Sequence, residues 1–204
     1  MKKFFKLFAG LVLVAVVIVG VVSAPMIKRG YKMYSAALAD TPIEEKVAEI
    51  CSSEKYTSYE EISPVFIDTL VESEDRRFFR HGGFDAISFT RAVFANISAG
   101  SFSQGGSTLT QQLAKNMYFS FEKRIERKVA ELLVAFQLEK MYTKEEILAM
   151  YCAMAYFGEN CYGIKQASGY YYGIAPAQLD GIQSAELVET LKAPSIRNPS
   201  TMKR

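Results

Sequence analysis

From Leu7 to Ala24 the chain runs for 18 residues without a charge. A helix of that length reaches about 27 Å, close to the ~30 Å of a bilayer's hydrocarbon core. A segment apolar on every side has no stable place on the surface of a soluble domain, so this run constrains the chain more than any other feature. The alternative is a cleaved signal peptide. Its apolar stretch runs to about 7–15 residues, and although Val22-Ser23-Ala24 has a small-residue pattern, Pro25 would follow the cut. The expectation is an uncleaved single-pass anchor. Five of the 24 basic residues (Lys2, Lys3, Lys6, Lys28, Arg29) and none of the 22 acidic ones fall in residues 1–30. Lysines flank both ends of the run, but three precede it and the body beyond is net acidic. That balance places the N-terminus inside and the body outside the cytoplasmic membrane. A body without a basic excess also argues against a nucleic-acid-binding protein.

The body reads as all-α, one domain of residues 55–204 preceded by a stub and anchor over 1–30 and a linker and first helix over 31–54. Thr41-Pro42-Ile43-Glu44 has the form of a capping box with proline at the first helical position, and predicts a helix from Pro42 to about Ile50. Ser63-Pro64 starts another, with Ile62 placed to staple on Ile67. Asp85 caps a helix whose Ala86, Phe89, Val93, Phe94 and Ile97 keep the helical period. Ser98 to Gly106 is rich in Ser and Gly and reads as a mobile loop. Ser107 opens a helix to about Tyr118, Arg127 to Met141 is a long helix, and Thr143-Lys144-Glu145-Glu146 is a second capping box. Gly158 to Gly163 is a turn, and Asp180 to Ala193 is the last helical stretch. Cys51, Cys152 and Cys161 make an odd count; Cys152 and Cys161 are close enough in sequence to bridge. One histidine and no CxxC pair argue against a structural zinc site.

Three constellations could carry chemistry. Glu74 to Asp85, EDRRFFRHGGFD, packs three acids, three arginines and the only histidine into twelve residues. Glu74 and Asp75 end a helix, where carboxylates oppose the dipole; a charge cluster pairing with Arg76 and Arg77 is the plain reading, a functional acid the sharper one. Gly105 to Asn116, GGSTLTQQLAKN, places Thr108, Gln111, Gln112 and Lys115 on one helical face behind two glycines. That is the form of an anion seat at a helix N-terminus, or else of an ordinary amphipathic helix. Arg127 to Tyr151 carries Glu131 in an otherwise apolar stretch. There an unpaired carboxylate is costly, and Arg127 and Lys128 are within reach. It is either a structural ion pair or an acid facing a cleft.

These blocks resemble, in order and spacing, the peptidoglycan glycosyltransferases: the family 51 domain of class A penicillin-binding proteins and of monofunctional transglycosylases. The match runs from about Lys55 to Pro199 and includes a fourth segment, Ala155 to Gly173, similar to the family's aromatic and glycine block. Departures fall in the C-terminal third: Ala153 where the family usually has Asn, Ile174 for a lysine, Gln183-Ser184-Ala185 for a Glu–x–Ala segment, and Glu189 for a glycine. The resemblance implies a helical, lysozyme-like large lobe with a smaller membrane-facing jaw, and an inverting polymerisation of lipid II on the bacterial cytoplasmic membrane. Glu74 would be the general base on the acceptor hydroxyl. The leaving diphosphate calls for positive charge rather than an acid, which points to Lys115, Arg127 and Lys128. Glu131 would orient that cluster or help bind a divalent cation, magnesium or manganese; no organic cofactor is implied. Asp75, Phe78, His81, Ser107, Thr108, Gln111, Gln112 and Asn116 complete the implied substrate-binding set. Implied partners are lipid II, the growing glycan strand, the membrane and other wall-synthesis proteins. Two other classes stay open: a non-catalytic, glycan- or partner-binding member, and a lysozyme-like hydrolase.

Overall fold

The computed structural model describes residues 2–101, 104–119 and 124–202, and of residues 2–19 and 202 the backbone alone. Its helices are α1 (Lys2–Asp40), α2 (Ile43–Ser52), α3 (Pro64–Glu74), α4 (Ala86–Ala99), α5 (Leu109–Tyr118), α6 (Ile125–Met141), α7 (Lys144–Met154), α8 (Ile164–Tyr172), α9 (Gly181–Lys192) and the short α10 (Pro199–Met202). The described residues hold no strand, only a single bridge between Tyr156 and Tyr162. The all-α expectation holds.

The centre of the body is α7. Every residue from Ile147 to Ala153 is buried, which is what a helix apolar on all sides requires. It packs against α2, α5, α6 and α8. Its start is the expected capping box: Thr143 Oγ1 accepts from Glu146 N at 3.3 Å, and Thr143 N donates to Glu146 Oε2 at 2.7 Å. Phe66 and Leu70 from α3, Phe78, Leu113 from α5, Phe157 and Leu187 from α9 fill the space around it. Each such side chain contributes about 1.5–3 kcal/mol on burial. Cys152 and Cys161 are both buried and, like the exposed Cys51, free thiols, so the expected bridge does not form.

Three expectations shift. Residues 31–40, read as part of a linker, continue α1, which passes Pro25 without ending. The capping box at Thr41 is absent: Thr41 N still bonds Ala37 O at 3.0 Å, so Thr41 completes the last turn of α1, and Pro42 takes the cap of α2. The apolar period of α4 holds, but its face is not covered. Only Ala92 is buried, while Ile87, Phe89, Phe94 and Ile97 are exposed. Of the expected mobile loop, residues 102 and 103 lie outside the described residues. Its far end is clasped, since Asn96 Nδ2 donates to Gln104 O and Gln104 N donates back to Asn96 Oδ1, at 2.9 and 2.8 Å. Among the described residues, no helix is long and apolar enough to cross a membrane; the run Leu7–Ala24 lies mostly where side chains are not described.

The C-terminal part of α1 lies along α6, the two running parallel. Gly30 meets Val129, Arg29 pairs with Glu126 at 3.3 Å, and Gln137 Nε2 donates to Tyr34 Oη at 3.3 Å. At Gly30 the helices are in contact: a Cβ there would sit 2.5 Å from Val129 Cβ and 2.8 Å from the Glu126 carbonyl oxygen. Backbone cannot give way, so Gly30→Ala is expected to cost about 1–3 kcal/mol by overpacking. Thermal melting, together with proteolysis at the freed end of α1, checks this; an unchanged melting temperature would show that the α1–α6 contact tolerates the methyl.

Candidate active site

A cleft of about 910 Å³ opens between the end of α3, the start of α5 and the start of α6, with Arg91 of α4 and Lys192 of α9 among its lining residues. Nine of the residues singled out in the sequence line it: Glu74, Asp75, Ser107, Thr108, Gln111, Gln112, Lys115, Arg127 and Lys128. Phe78, His81, Asn116 and Glu131 do not. Phe78 is core, with Lys144 Nζ 4.1 Å from its ring centroid. Sequence reasoning missed Arg91 and Lys192, two cations on the cleft that belong to no motif, and it paired Arg76 of the first motif with the acids without placing it on the cleft.

The cleft is held by bonds inside the protein. Thr108 caps α5, its Oγ1 accepting from Gln111 N at 3.1 Å. The same hydroxyl and Gln111 Nε2 both donate to the Gly83 carbonyl, at 3.1 and 3.0 Å. Asp75 accepts from Leu109 N through Oδ2 at 3.0 Å and from His81 Nε2 through Oδ1 at 2.7 Å. The N-terminus of α5, expected as an anion seat, is therefore already occupied by the protein's own carboxylate. A helix N-terminus favours a negative charge, and Asp75 supplies it at no cost in translational entropy.

On one wall Glu74 ends α3, half-buried. Its hydrogen-bond partner is Gln112, whose Nε2 donates to Oε2 at 3.2 Å. The same cleft is lined by Lys115, Arg127 and Lys128. Behind these, Glu131 is fully buried. Lys128 Nζ donates to Glu131 Oε2 at 2.7 Å and to Ser107 Oγ at 2.9 Å. Arg127 Nε stands 3.3 Å from Glu131 Oε1, but its N–H is not aimed at that oxygen, so the attraction is Coulombic. Burial pushes the Lys115 ammonium below its ordinary value; Glu131 draws it back up, and Arg127 and Lys128 lower it further. Of the two readings of Glu131 the structure shows the buried ion pair; the acid itself does not face the cleft, and its partners Arg127 and Lys128 do. The charge cluster resolves differently, with Arg76 on Glu72 and Arg77 on Asp85 rather than on Glu74 or Asp75.

Asp75, His81 and Asp85 offer three ligand atoms within 4.8 Å of one another, the one such group among the described residues. All three are engaged. Asp75 holds His81 and the α5 backbone. Asp85 accepts from Ile87 N and Ser88 N through Oδ1, and from Arg77 Nε and Ser88 Oγ through Oδ2. A divalent cation would have to displace a guanidinium and a ring N–H, so the residues as arranged do not fit one. The buried Glu131 likewise faces cations supplied by the chain.

A family model described as "Transglycosylase" matches residues 43–204. Penicillin-binding protein 1A of Vibrio cholerae is 41% identical over 140 residues, covering 69% of this chain and 17% of that protein. Penicillin-binding protein 2a of Streptococcus pneumoniae is 40% identical over 158 residues, covering 76% and 21%. A monofunctional glycosyltransferase of Staphylococcus saprophyticus is 36% identical over 178 residues, covering 83% and 64%. The chain thus spans about a fifth of the penicillin-binding relatives and about two thirds of the shorter one.

The His81–Asp75 pair gives a test of the clasp. Burial disfavours the imidazolium, but the Asp75 carboxylate and the Gly82 carbonyl outweigh it, and the His81 pKa lies above its ordinary value. A pKa raised on folding stabilises the fold fully below the unfolded value near 6.5, and that contribution is lost as pH rises through the folded value. The melting-temperature lead of the wild type over His81→Gln is expected to be largest below pH 6 and to shrink towards pH 9. A lead that stays constant over this range would remove the charge from the argument.

Proposed function

The chain belongs to the transglycosylase family, and from that premise we propose that it polymerises lipid II into glycan strands, releasing polyprenyl diphosphate. One observation carries the reading: a single cleft is lined by the Glu74 carboxylate and by the cations Lys115, Arg127 and Lys128. A sugar hydroxyl is a poor nucleophile at neutral pH and attacks C1 of the donor only as a base takes its proton. What supports Glu74 in that role is that Gln112 bonds one carboxylate oxygen, while among the described residues no hydrogen bond ties the other. The C1–O bond to the diphosphate breaks with inversion as the new C1–O bond forms. The departing oxygens gain negative charge, which fixed cations stabilise before the reaction begins. A hydrolase of finished glycan has no diphosphate and no use for that cluster. Thr108 and Gln111 serve at one remove, because their donors hold Gly83.

The membrane completes the proposal. Leu7–Ala24 would anchor the chain, N-terminus inside, with the catalytic body outside the cytoplasmic membrane, where the substrate's lipid stays embedded. The uncovered α4 supports a membrane-facing jaw. Phe94 is 67% exposed and Ile97 72%, an apolar face that bare water disfavours. Phe94→Asp with Ile97→Asp is expected to slow polymerisation of lipid II in vesicles while sparing that of detergent-dispersed lipid II. Equal losses in both settings would count against the jaw.

The two glutamates are expected to fail differently. Glu74→Gln keeps the side chain's size but cannot take the proton, and a lost general base costs about 10²–10⁴ in rate. Affinity for a diphosphate-bearing substrate analogue should survive it. Glu131→Gln leaves the base in place but strips Lys128 and Arg127 of their shared counter-ion. Turnover and analogue affinity should both change, and stability should fall by about 1–3 kcal/mol. Labelled lipid II polymerisation, analogue binding and melting temperature measured on both variants decide this. A folded Glu74→Gln that polymerises at the wild-type rate would refute the base assignment.

A further inference from the structure

The relay that reaches Glu74 from behind begins on α7. Tyr151 is 2% exposed, turned from the core towards α5. Its hydroxyl stands 3.2 Å from Gln112 Oε1, and Gln112 Nε2 stands 3.2 Å from Glu74 Oε2. Among the described residues, Gln112 is the one hydrogen-bond partner of Glu74. We infer that Tyr151 is a positioning residue for Glu74, acting through the Gln112 amide. The inference rests on the proposed role of Glu74 as the base.

The direction of the chain follows from chemistry. An ionised carboxylate only accepts, an amide has one accepting and one donating end, and a phenol can do either. Glu74 therefore takes the amide N–H, which turns Oε1 to the rear and leaves Tyr151 as the donor. The reversed amide would set an oxygen against the carboxylate. Tyr151 keeps its proton throughout, because burial, and after it the negative Glu74, hold the phenol well above its ordinary value. A donor fixed in the core thus selects one amide orientation, and that orientation fixes which carboxylate oxygen is tied and which faces the cleft. Without the hydroxyl, Gln112 keeps a bond to Glu74 but loses what holds its far end. The carboxylate then samples positions off the line to the acceptor hydroxyl, and displacements of about an ångström are costly in rate.

Tyr151→Phe removes one oxygen from the core and little else. The full-length variant is expected to melt as a folded protein, bind lipid II with KM unchanged within about twofold, and polymerise with kcat lowered about tenfold. The same change in a Gln112→Met background should have no further effect on kcat, because the route through the amide is already broken. A purely structural tyrosine would instead add its loss to that of Gln112→Met. An additive loss, or a Tyr151→Phe enzyme with full kcat, overturns the inference. A second readout needs no activity: the side-chain amide of Gln112, followed by ¹⁵N NMR in detergent, should shift and exchange faster in Tyr151→Phe. If the wild type makes no polymer, the functional reading falls while this amide still decides the contact. An unmoved Gln112 amide overturns it.

Discussion

The carbonyl of Gly83 is the fixed point of the cleft. Thr108 and Gln111, both buried, donate to it, and its own α carbon is pressed against α6. A Cβ there would lie 2.9 Å from the backbone at Ala135 and Phe136. One residue with no side chain therefore brings the loop after α3, the start of α5 and the middle of α6 together. Buried donors that lose their acceptor cost about 1–3 kcal/mol each, so the three segments hold their places as a unit. Asp75 adds a second tie two turns of chain earlier, joining His81 to the first amide of α5. The two motifs that looked separate in the sequence are one hydrogen-bonded body.

That body explains what the sequence could and could not reveal. Helical period found the cleft-lining face of α5, because Thr108, Gln111, Gln112 and Lys115 recur at the spacing of one face, and all four line the cleft. Period says nothing of what a donor is bonded to, so it does not show that Thr108 and Gln111 donate to Gly83. The same gap appears at α4, where the apolar period is present and nothing in the described body covers it. At Thr41 the motif was right in letters and wrong in place, since the turn it completes belongs to α1. Lys192 and Arg91 carry no local signal. They reach the cleft through the packing of α9 and α4, which no single segment encodes.

Electrostatics orders the opposite wall. A buried carboxylate is expensive to desolvate, and replacing a buried ion pair with apolar side chains is often neutral for stability. Glu131 is thus poorly explained as a stabilising device. Its partners are better evidence of its role: Lys128 is drawn to it and to Ser107 at once, and Arg127 is held beside it by charge. Three cations crowded without a counter-ion would repel one another and, in the case of Lys115, move further towards neutrality. Glu131 keeps them together and draws the Lys115 ammonium back up while staying out of the cleft itself.

The two glutamates therefore differ in the kind of neighbour that holds them, and this separates their tasks. Glu131 is gripped by ammonium and guanidinium groups, which bring their own charge to the cleft surface. Glu74 is gripped by a neutral amide, which fixes direction without cancelling charge. A base must keep a lone pair open to the reacting hydroxyl, whereas a counter-ion need not face solvent at all. Asp75 already holds Leu109 N, and Thr108 holds Gln111 N, so these two amides of the turn are not open to a departing anion. The side-chain cations line the cleft. They lie on α5 and α6, the helices that the Gly83 clasp binds together, so the contact that shapes the cleft also fixes the two helices that carry the cations.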